Sequence, residues 1–308
     1  MTITLSAGSL CLATLVGAAG PVAVLSEMMD AVNAGDADRY ARLYAPDAVL
    51  TIYGSRALTG RPAIEAHERT LLREFPGARL GFYAVWEKGP VAVVHYAVQG
   101  RTPAGGSMGH EGLLFYRFRP SGLIEEERRY LDGLTPMAQL GLIGPTPARP
   151  LPTLPNTMEA QVAKGSAIED DNVARVRATF AALDAKDAAA FLSGLSEDAV
   201  LDDMIEPRPY RGQGQVKAWF ETWTHAVPDA RSEIATIIGA GDSVLVETVL
   251  RGTLKGPLGR LAPSDREFAV HRAVVVRLAG GKLTRITVFM NGRELAQAVG
   301  QWPLPAMR

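Results

Sequence analysis

GDADRYARLYAPDAVL, residues 35–50, is matched without a gap by KDAAAFLSGLSEDAVL, residues 186–201. Asp36 is matched by Asp187, and both segments end in Asp-Ala-Val-Leu. Tyr40 is matched by Phe191, and every matched pair is 151 positions apart. Self-similarity at a fixed spacing is the mark of a repeated structural unit. The sequence therefore predicts two copies of one domain.

The match continues in the same order farther along the chain. Gly60 and Gly212 follow at a spacing of 152, and we match His110 to His271 at a spacing of 161, with the extra residues in a longer loop over residues 256–265. We predict an N-terminal extension at residues 1–20, a first domain at 21–143, a Pro-rich linker at 144–168 and a second domain at 169–305. The linker holds five prolines between residues 144 and 165, which favours an extended spacer.

Each copy opens with helical patterns and closes with strand patterns. Apolar residues recur at helical spacing from Ala23 to Val32, whereas the stretches Leu80 to Trp86 and Val91 to Val98 alternate as antiparallel strands do. Helices that precede a sheet indicate an α+β fold.

Composition and charge limit the class of partner. Hydrophobic residues make up 47% of the chain, and 32 basic residues against 33 acidic ones leave a net charge of -1. Such a balance attracts neither nucleic acid nor an anionic membrane, so we expect a neutral small molecule or a protein as partner. The single cysteine excludes a disulfide framework, the five histidines lack metal-ligand spacing, and no nucleotide motif is present, so we predict no metal and no cofactor.

The first residues are apolar enough to raise the question of export. Residues 10–24 resemble the core of a signal peptide, but no Lys or Arg precedes Arg39, and Gly17, Gly20 and Pro21 interrupt the run. Because the positive leading region of a signal is missing, we favour a cytoplasmic location while leaving a signal peptide over residues 1–25 open.

A hairpin over residues 109–141 carries the main candidate chemistry. One strand opens on His110 and the next runs to Asp132, so a tight turn between them would bring both side chains to one end of neighbouring strands. Alternation places Arg128, Tyr130 and Asp132 on one face of the second strand. Neither face is cleanly apolar, so the sequence does not decide which face points inward.

Both copies resemble the SnoaL-like polyketide cyclase group of the nuclear-transport-factor-2-like superfamily. In the first copy the resemblance rests on Tyr130-Leu131-Asp132 and Gln139-Leu140-Gly141, and in the second on Arg251-Gly252-Thr253 and Phe289-Met290-Asn291. It implies two tandem cone-shaped domains, each with N-terminal helices packed on a curved antiparallel sheet. It also implies that the two copies pair through the backs of their sheets, so that the chain is self-sufficient as a monomer.

The resemblance implies that Asp132 is the acid/base aspartate and that His110 is its strand histidine. A carboxylate in an apolar pocket can take a proton from carbon, and a neutral imidazole can donate a hydrogen bond to the enolate oxygen. The alternative is structural: Asp132 caps the turn over residues 134–140 and His110 is a satisfied core histidine. Arg128 could also hold Asp132 ionised in an ion pair.

The second copy differs at the decisive position, because Asn291 replaces the aspartate and an amide does not transfer protons. Asp202, Asp203 and Glu206 in this copy are most simply solvated loop charges, and Trp219 with Trp223 fits a helix core. Candidate substrate-binding residues over both copies are Arg128, His95, Tyr53, Tyr130, His271, Asn291 and Trp223.

The predicted function is that of a cofactor-independent cyclase or isomerase in secondary metabolism, acting by enolisation on a hydrophobic, carbonyl-rich small molecule in the first domain. Two alternatives stay open at the level of sequence. One is a non-catalytic binding or scaffold protein built as an internal pseudo-dimer. The other is a hydratase, dehydratase or epoxide hydrolase on the same fold.

Overall fold

A computed structural model describes residues 20–144 and 146–304. Most of the predicted N-terminal extension, and with it the signal-peptide question, lies outside the described residues. Within them, no helix is both long and apolar enough to cross a membrane.

The first domain consists of helices on one face of a sheet. Its helices are α1 (Pro21–Ala34), α2 (Ala37–Arg42), α3 (Arg61–Glu74) and α4 (Leu134–Gln139). Its strands are β1 (Tyr44–Ile52), β2 (Arg56–Thr59), β3 (Arg79–Lys88), β4 (Val91–Arg101), β5 (Ser107–Phe118) and β6 (Ile124–Leu131). With β7 (Glu159–Val162) they form one sheet in the order β2-β1-β6-β5-β4-β3-β7.

The second domain repeats this order. Its helices are α5 (Ala167–Asp184), α6 (Ala188–Ser193), α7 (Gly212–Ala226) and α8 (Gly292–Ala298). Its strands are β8 (Leu195–Asp203), β9 (Tyr210–Arg211), β10 (Arg231–Ala240), β11 (Ser243–Thr253), β12 (Glu267–Ala279) and β13 (Lys282–Met290), ordered β10-β11-β12-β13-β8-β9. Two sheets with helices in tandem halves confirm the predicted α+β class.

The matched sequence forms the same local structure in both domains. Gly35 and Lys186 end α1 and α5 in the left-handed region, with φ of 71° and 61°. Asp36 then accepts a hydrogen bond from the Arg39 amide at 2.8 Å, and Asp187 caps the corresponding helix in the same way. A short polar side chain in this position satisfies an amide that the first helical turn leaves unpaired, so the repeat marks a helix start.

The linker is more than the spacer that its composition predicted. Its strand β7 pairs in parallel with β3, and the Tyr83 hydroxyl donates to the Thr153 carbonyl at 2.7 Å. Pro152 and Pro155 lie against Gly109 and Gly81, where any Cβ would come within 2.8 Å of a proline ring. The chain stays extended, as prolines require, but it binds the back of the first sheet because glycines leave room there.

The backs of the two sheets pack against each other through a shared apolar cluster. The cluster takes Trp86, Leu113 and Phe115 from the first domain and Leu245 and Phe289 from the second, all buried. Each domain has a separate core on the opposite face of its sheet, beneath its own helices. Central strands such as β5 and β12 are therefore buried on both faces, and each contains a continuous run of buried residues.

Candidate active site

The structure does not bring His110 and Asp132 together. In the pairing of β5 with β6, Gly112 lies opposite Leu131 and Leu113 opposite Tyr130. Since side chains alternate along a strand, His110 points to the helix-covered face and Asp132 to the face toward the second domain. The prediction that the two side chains meet is wrong. Asp132 lies one residue beyond Leu131, which shares a face with His110, so the Asp132 side chain is on the opposite face of the sheet.

Asp132 is instead held in structural hydrogen bonds. Its carboxylate accepts bonds from the Thr135 amide at 2.9 Å, the Thr135 hydroxyl at 2.8 Å and the Leu134 amide at 3.2 Å. A fourth bond comes from the Gly292 amide of the second domain at 3.1 Å. Burial raises the pKa of Asp132, although these donors counteract the rise. This arrangement fits the structural alternative, in which Asp132 caps the turn over residues 134–140. The carboxylate does not line the cavity described below.

Six of the predicted substrate-binding residues lie together at the boundary between the domains. The Tyr53 ring stacks on His271 at 4.0 Å and lies 4.7 Å from Tyr130, and the Asn291 amide donates to the Tyr53 carbonyl at 2.8 Å. Arg128 forms a two-pronged ion pair with Glu247, at 2.7 and 2.8 Å, rather than with Asp132.

His95 belongs to the same boundary, bonded to Glu111 at 2.9 Å and packed edge-on against Phe289. Trp223, the seventh predicted residue, is buried in the core of the second domain. The predicted binding residues thus connect the domains or fill a core, and the first domain's cavity is lined by others.

That cavity, of about 260 Å³, lies between the helices and the sheet of the first domain. Aliphatic and aromatic side chains such as Leu71, Leu72 and Phe75 form most of its wall. The polar side chains that line it are Tyr40, His67, Glu68, Tyr96, His110, Tyr116, Glu127 and Arg129. A largely apolar cavity with a few convergent polar groups is the usual form of a small-molecule site.

Three of the polar residues at this cavity, Tyr40, Glu127 and Arg129, close a ring of hydrogen bonds with the buried Tyr44. Arg129 donates to Glu127 at 2.5 Å and to the Tyr40 hydroxyl, Tyr40 contacts the Tyr44 hydroxyl at 2.7 Å, and Tyr44 donates to Glu127. Burial alone would lower the pKa of Arg129, but Glu127, with smaller contributions from Tyr40, Tyr44 and Glu68, outweighs burial and holds this pKa well above the usual value. The buried ion pair is neutral as a unit and its groups are satisfied.

Other polar groups of the cavity lack such partners. Nε2 of His67 is buried without a hydrogen-bond partner among the described residues. Glu68 is 5% exposed, and no hydrogen bond joins its carboxyl group to another described residue. Burial raises the pKa of Glu68 and, with the charge of Arg129, lowers the pKa of His67 to about 4. A buried polar group without a partner is costly, and a bound ligand is one way to satisfy it.

His110 enters the cavity as a hydrogen-bond acceptor. Its Nδ1 lies 3.3 Å from the Glu111 carbonyl oxygen, and because a carbonyl only accepts, Nδ1 carries the proton. Burial lowers the pKa of His110 to about 4, so the ring is neutral at pH 7 and its Nε2 is unprotonated. The neutral imidazole therefore has no proton at Nε2 to donate to an enolate, contrary to the role that the resemblance implied.

Strand pairing shows which residues of the second domain occupy these places. In the first sheet Ile52 pairs with Arg129, and in the second Asp203 pairs with Val288. Asp203 therefore corresponds to Ile52, and Val288 corresponds to Arg129. By the same registers His110 corresponds to Val270, and His271 corresponds to Glu111. The predicted match of His110 with His271 is thus wrong by one residue, an error that the longer loop before β12 invites.

Apolar residues replace the polar lining in the second domain. Glu127 and Arg129 correspond to Ile286 and Val288 in the strand registers. On the helix, aligned through Gly60 and Gly212, His67, Glu68 and Leu71 correspond to Trp219, Phe220 and Trp223. The space left beside these rings is about 30 Å³, the share of one water molecule in the liquid.

Of the three acidic residues predicted to be solvated loop charges, Asp202 and Asp203 are buried and Glu206 is half-buried. Asp203 is 1% exposed and accepts a bond from the Trp219 indole at 3.3 Å, and burial with the charge of Glu206 raises its pKa to about 7. Asp202 forms ion pairs with Arg149 at 2.9 Å and Arg285 at 2.6 Å. They are buried because β8 continues through Asp203, so both residues lie inside the sheet.

No three His, Cys, Asp or Glu side chains in the described ranges are grouped closely enough to hold a metal ion. The absence of a metal and of a cofactor stays a prediction from the sequence.

Fold and cavity define a class of protein made of two cone-shaped α+β domains in tandem, the first hollow and the second filled. The chain belongs to the SnoaL-like domain family, whose family model matches residues 25–127 and 176–286. This match confirms the resemblance seen in the sequence. No curated protein matches the chain.

Among solved structures, the chain is similar to a candidate SnoaL-like polyketide cyclase from Jannaschia sp. CCS1, with 20% identity over 46% of this chain and 97% of that one, and a TM-score of 0.42. It is also similar to a protein of ketosteroid-isomerase-like fold from Catenulispora acidiphila, with 22% identity over 41% of this chain and 92% of that one, and a TM-score of 0.37. A candidate polyketide cyclase from Pseudomonas putida shares 23% identity over 41% of this chain and 96% of that one, with a TM-score of 0.37. None of these likenesses carries an inference about the reaction.

Proposed function

We propose that the cavity of the first domain is an active site of the cyclase or isomerase type, which transfers protons on a small, uncharged, largely apolar carbonyl compound. The observation that supports this most is the contrast between the two copies. His67 and Glu68 are polar and line the cavity, and Nε2 of His67 has no hydrogen-bond partner among the described residues, whereas the second domain folds with Trp219 and Phe220 in their places. The architecture therefore does not require polar groups at these positions.

The charge and size of the cavity define the ligand. Glu127 and Arg129 cancel each other, both cavity histidines are neutral at pH 7, and burial raises the pKa of Glu68, which favours its uncharged form. An uncharged ligand is therefore favoured over an ion. A comparable apolar cavity of about 150 Å³ holds benzene. The 260 Å³ found here accommodates roughly two fused rings.

Glu68 is the residue that we assign to proton transfer. Its side chain is 5% exposed, and the pKa that burial raises makes it a stronger base than an exposed glutamate once it is ionised. Tuning of a carboxyl pKa toward working pH is a general device of acid/base catalysis. This role replaces the one that the family resemblance implied for Asp132.

The test is Glu68→Gln, compared with Glu74→Gln on the exposed end of the same helix. Turnover of bicyclic ketones is followed by product analysis, and binding is followed by thermal shift. We expect Glu68→Gln to lower kcat about a hundredfold or more with binding retained, and Glu74→Gln to leave both unchanged. Full turnover by Glu68→Gln would contradict the assignment, and binding of ketones without any conversion by the wild type would favour the non-catalytic alternative.

A further inference from the structure

Tyr96 presents a hydroxyl group to the cavity in a position that Gly112 makes possible. The Tyr96 ring lies over this glycine, where a Cβ atom would come within 2.4 Å of the ring and 2.6 Å of the hydroxyl oxygen. The registers match these residues to Thr248 and Arg272 of the second domain, which therefore has no room for such a ring. Glycine inside a strand often marks a close approach of this kind.

The hydroxyl of Tyr96 has no hydrogen-bond partner among the described residues, although the residue is only 6% exposed and lines the cavity. The other cavity tyrosines are engaged: Tyr40 bonds to Arg129 and Tyr44, and Tyr116 reaches Glu127 and the Met28 sulfur, each at 3.3 Å. Burial raises the pKa of Tyr96, so its hydroxyl keeps its proton and can donate it in a hydrogen bond.

Tyr96 and Glu68 line the same cavity of about 260 Å³. His110 packs edge-on against the Tyr96 ring at 5.7 Å. The cavity therefore combines an unused neutral donor, Tyr96, with an unused carboxyl group, Glu68. His110 adds an acceptor nitrogen and cannot take the donor's place.

We infer that Tyr96 donates the hydrogen bond that holds the carbonyl oxygen of an enolisable ketone while Glu68 removes a proton from the adjacent carbon. In this step the carbon–hydrogen bond breaks, its electron pair forms the carbon–carbon double bond of an enolate, and the carbonyl π pair moves onto the oxygen that Tyr96 binds. Glu68 holds the proton and returns it to carbon or to the enolate oxygen. A preorganised donor at the oxygen stabilises the charge that develops there.

This inference rests on the proposed function, and its test separates the two. The probe is 1-tetralone, a ketone on two fused rings, with the hydrocarbon tetralin as the matched ligand that lacks the oxygen. Binding is measured by calorimetry, and exchange of the hydrogens next to the carbonyl is followed by NMR in D₂O, above the rate in buffer. The variants are Tyr96→Phe, which keeps the ring over Gly112, and Tyr83→Phe, which removes a tyrosine hydroxyl outside the cavity.

We expect Tyr96→Phe to weaken 1-tetralone binding roughly tenfold and to slow exchange about a hundredfold, with tetralin binding unchanged. Tyr83→Phe should keep wild-type affinity and exchange. Gly112→Ala, which pushes the Tyr96 ring aside, should reproduce the loss of ketone affinity without touching the hydroxyl chemically.

Wild-type affinity and exchange in Tyr96→Phe, with exchange abolished in Glu68→Gln, would overturn the role of Tyr96 and leave the proposed function intact. Exchange that survives in Glu68→Gln would instead count against the proposed function. Failure of the wild-type protein to bind 1-tetralone would overturn the inferred class of ligand.

Discussion

Asp132 and Asn291 hold equivalent places in the two domains, and each accepts a hydrogen bond from the backbone amide that follows the other. Gly292 donates to Asp132 at 3.1 Å, and Gly133 donates to Asn291 at 3.2 Å. The Asn291 amide also donates to the Tyr53 carbonyl, a bond that a carboxylate in its place would not make. The difference between the copies is therefore explained by the contact between domains, without a loss of catalysis in the second.

Replacement of Asp132 by Asn should affect stability and not turnover. An amide side chain offers one acceptor oxygen, so part of the set of donors from Thr135, Leu134 and Gly292 loses its partner. We expect the free energy of unfolding to fall by about 1–3 kcal/mol, measured by urea denaturation, with kcat close to the wild-type value. A large fall in kcat at wild-type stability would return Asp132 to the mechanism.

Replacement of His67 by Trp should close the cavity of the first domain. The second domain carries Trp219 at the corresponding helix position and retains only about 30 Å³. We expect ketone binding, measured by calorimetry, to be lost, while the melting temperature stays within a few degrees of the wild type because the added ring fills existing space. Undiminished ketone binding in this variant would place the ligand elsewhere.

Replacement of His110 by Val, the residue of the second domain, should make the protein more resistant to acid. Because the pKa of His110 falls from 6.5 to about 4 on folding, the unfolded chain binds more protons between these values. Folding stability is thus lost as the pH falls from 6.5 toward 4, and His67 adds a loss of the same sign.

The measurement for His110→Val is denaturant unfolding at pH 7 and pH 4.5. We expect the difference in stability between these two conditions to be smaller in the variant than in the wild type. The exposed His225, changed to Gln, serves as the control and should leave the difference unaltered. An undiminished difference in His110→Val would show that His110 is not held neutral in the fold.

The ion pair of Arg128 with Glu247 should couple the stability of the two domains. Glu247 is 3% exposed and also accepts a bond from the Tyr130 hydroxyl at 2.8 Å. Loss of one partner of a buried pair costs about 3–5 kcal/mol, whereas replacing both by apolar residues costs far less. Arg128→Met alone should therefore lower the free energy of unfolding more than Arg128→Met combined with Glu247→Leu, as measured by urea denaturation. Equal losses of unfolding free energy in the two variants would mean that the pair contributes no coupling.

Local features of the fold could be predicted from the sequence because neighbouring residues produce them. Asp36 and Asp187 mark helix starts by accepting hydrogen bonds from amides three positions away. The alternation in β3 and β4 identifies strands. Which face of β6 points inward could not be predicted. Side chains on one face form hydrogen bonds with the Tyr40 and Tyr44 hydroxyls, and Arg128 on the other face binds Glu247. Both faces carry charged residues that are satisfied by distant partners.

Candidate site residues were harder to predict for the same reason. His110 lines the cavity and was among the predicted residues, although its catalytic role stays a prediction. Glu68 was missed because a glutamate on a helix is usually exposed. A signal was present in the repeat: Glu68 aligns with Phe220 through the conserved spacing of the preceding glycines, and an apolar counterpart indicates an inward position. Tyr96 had no such signal, since its counterpart Thr248 is equally compatible with either face.

The sequence by itself determined that the chain contains two copies of one α+β domain of the SnoaL-like family, because helix caps, periodicity and repeat spacing act over a few residues at a time. Only the tertiary structure decided that the first copy is hollow, that the second is filled, and that Asp132 serves the boundary between them. The reason is geometric. Strand side chains alternate between faces, so a shift of one residue in register moves a side chain from a cavity to an interface, and that register is set by contacts between segments far apart in the chain.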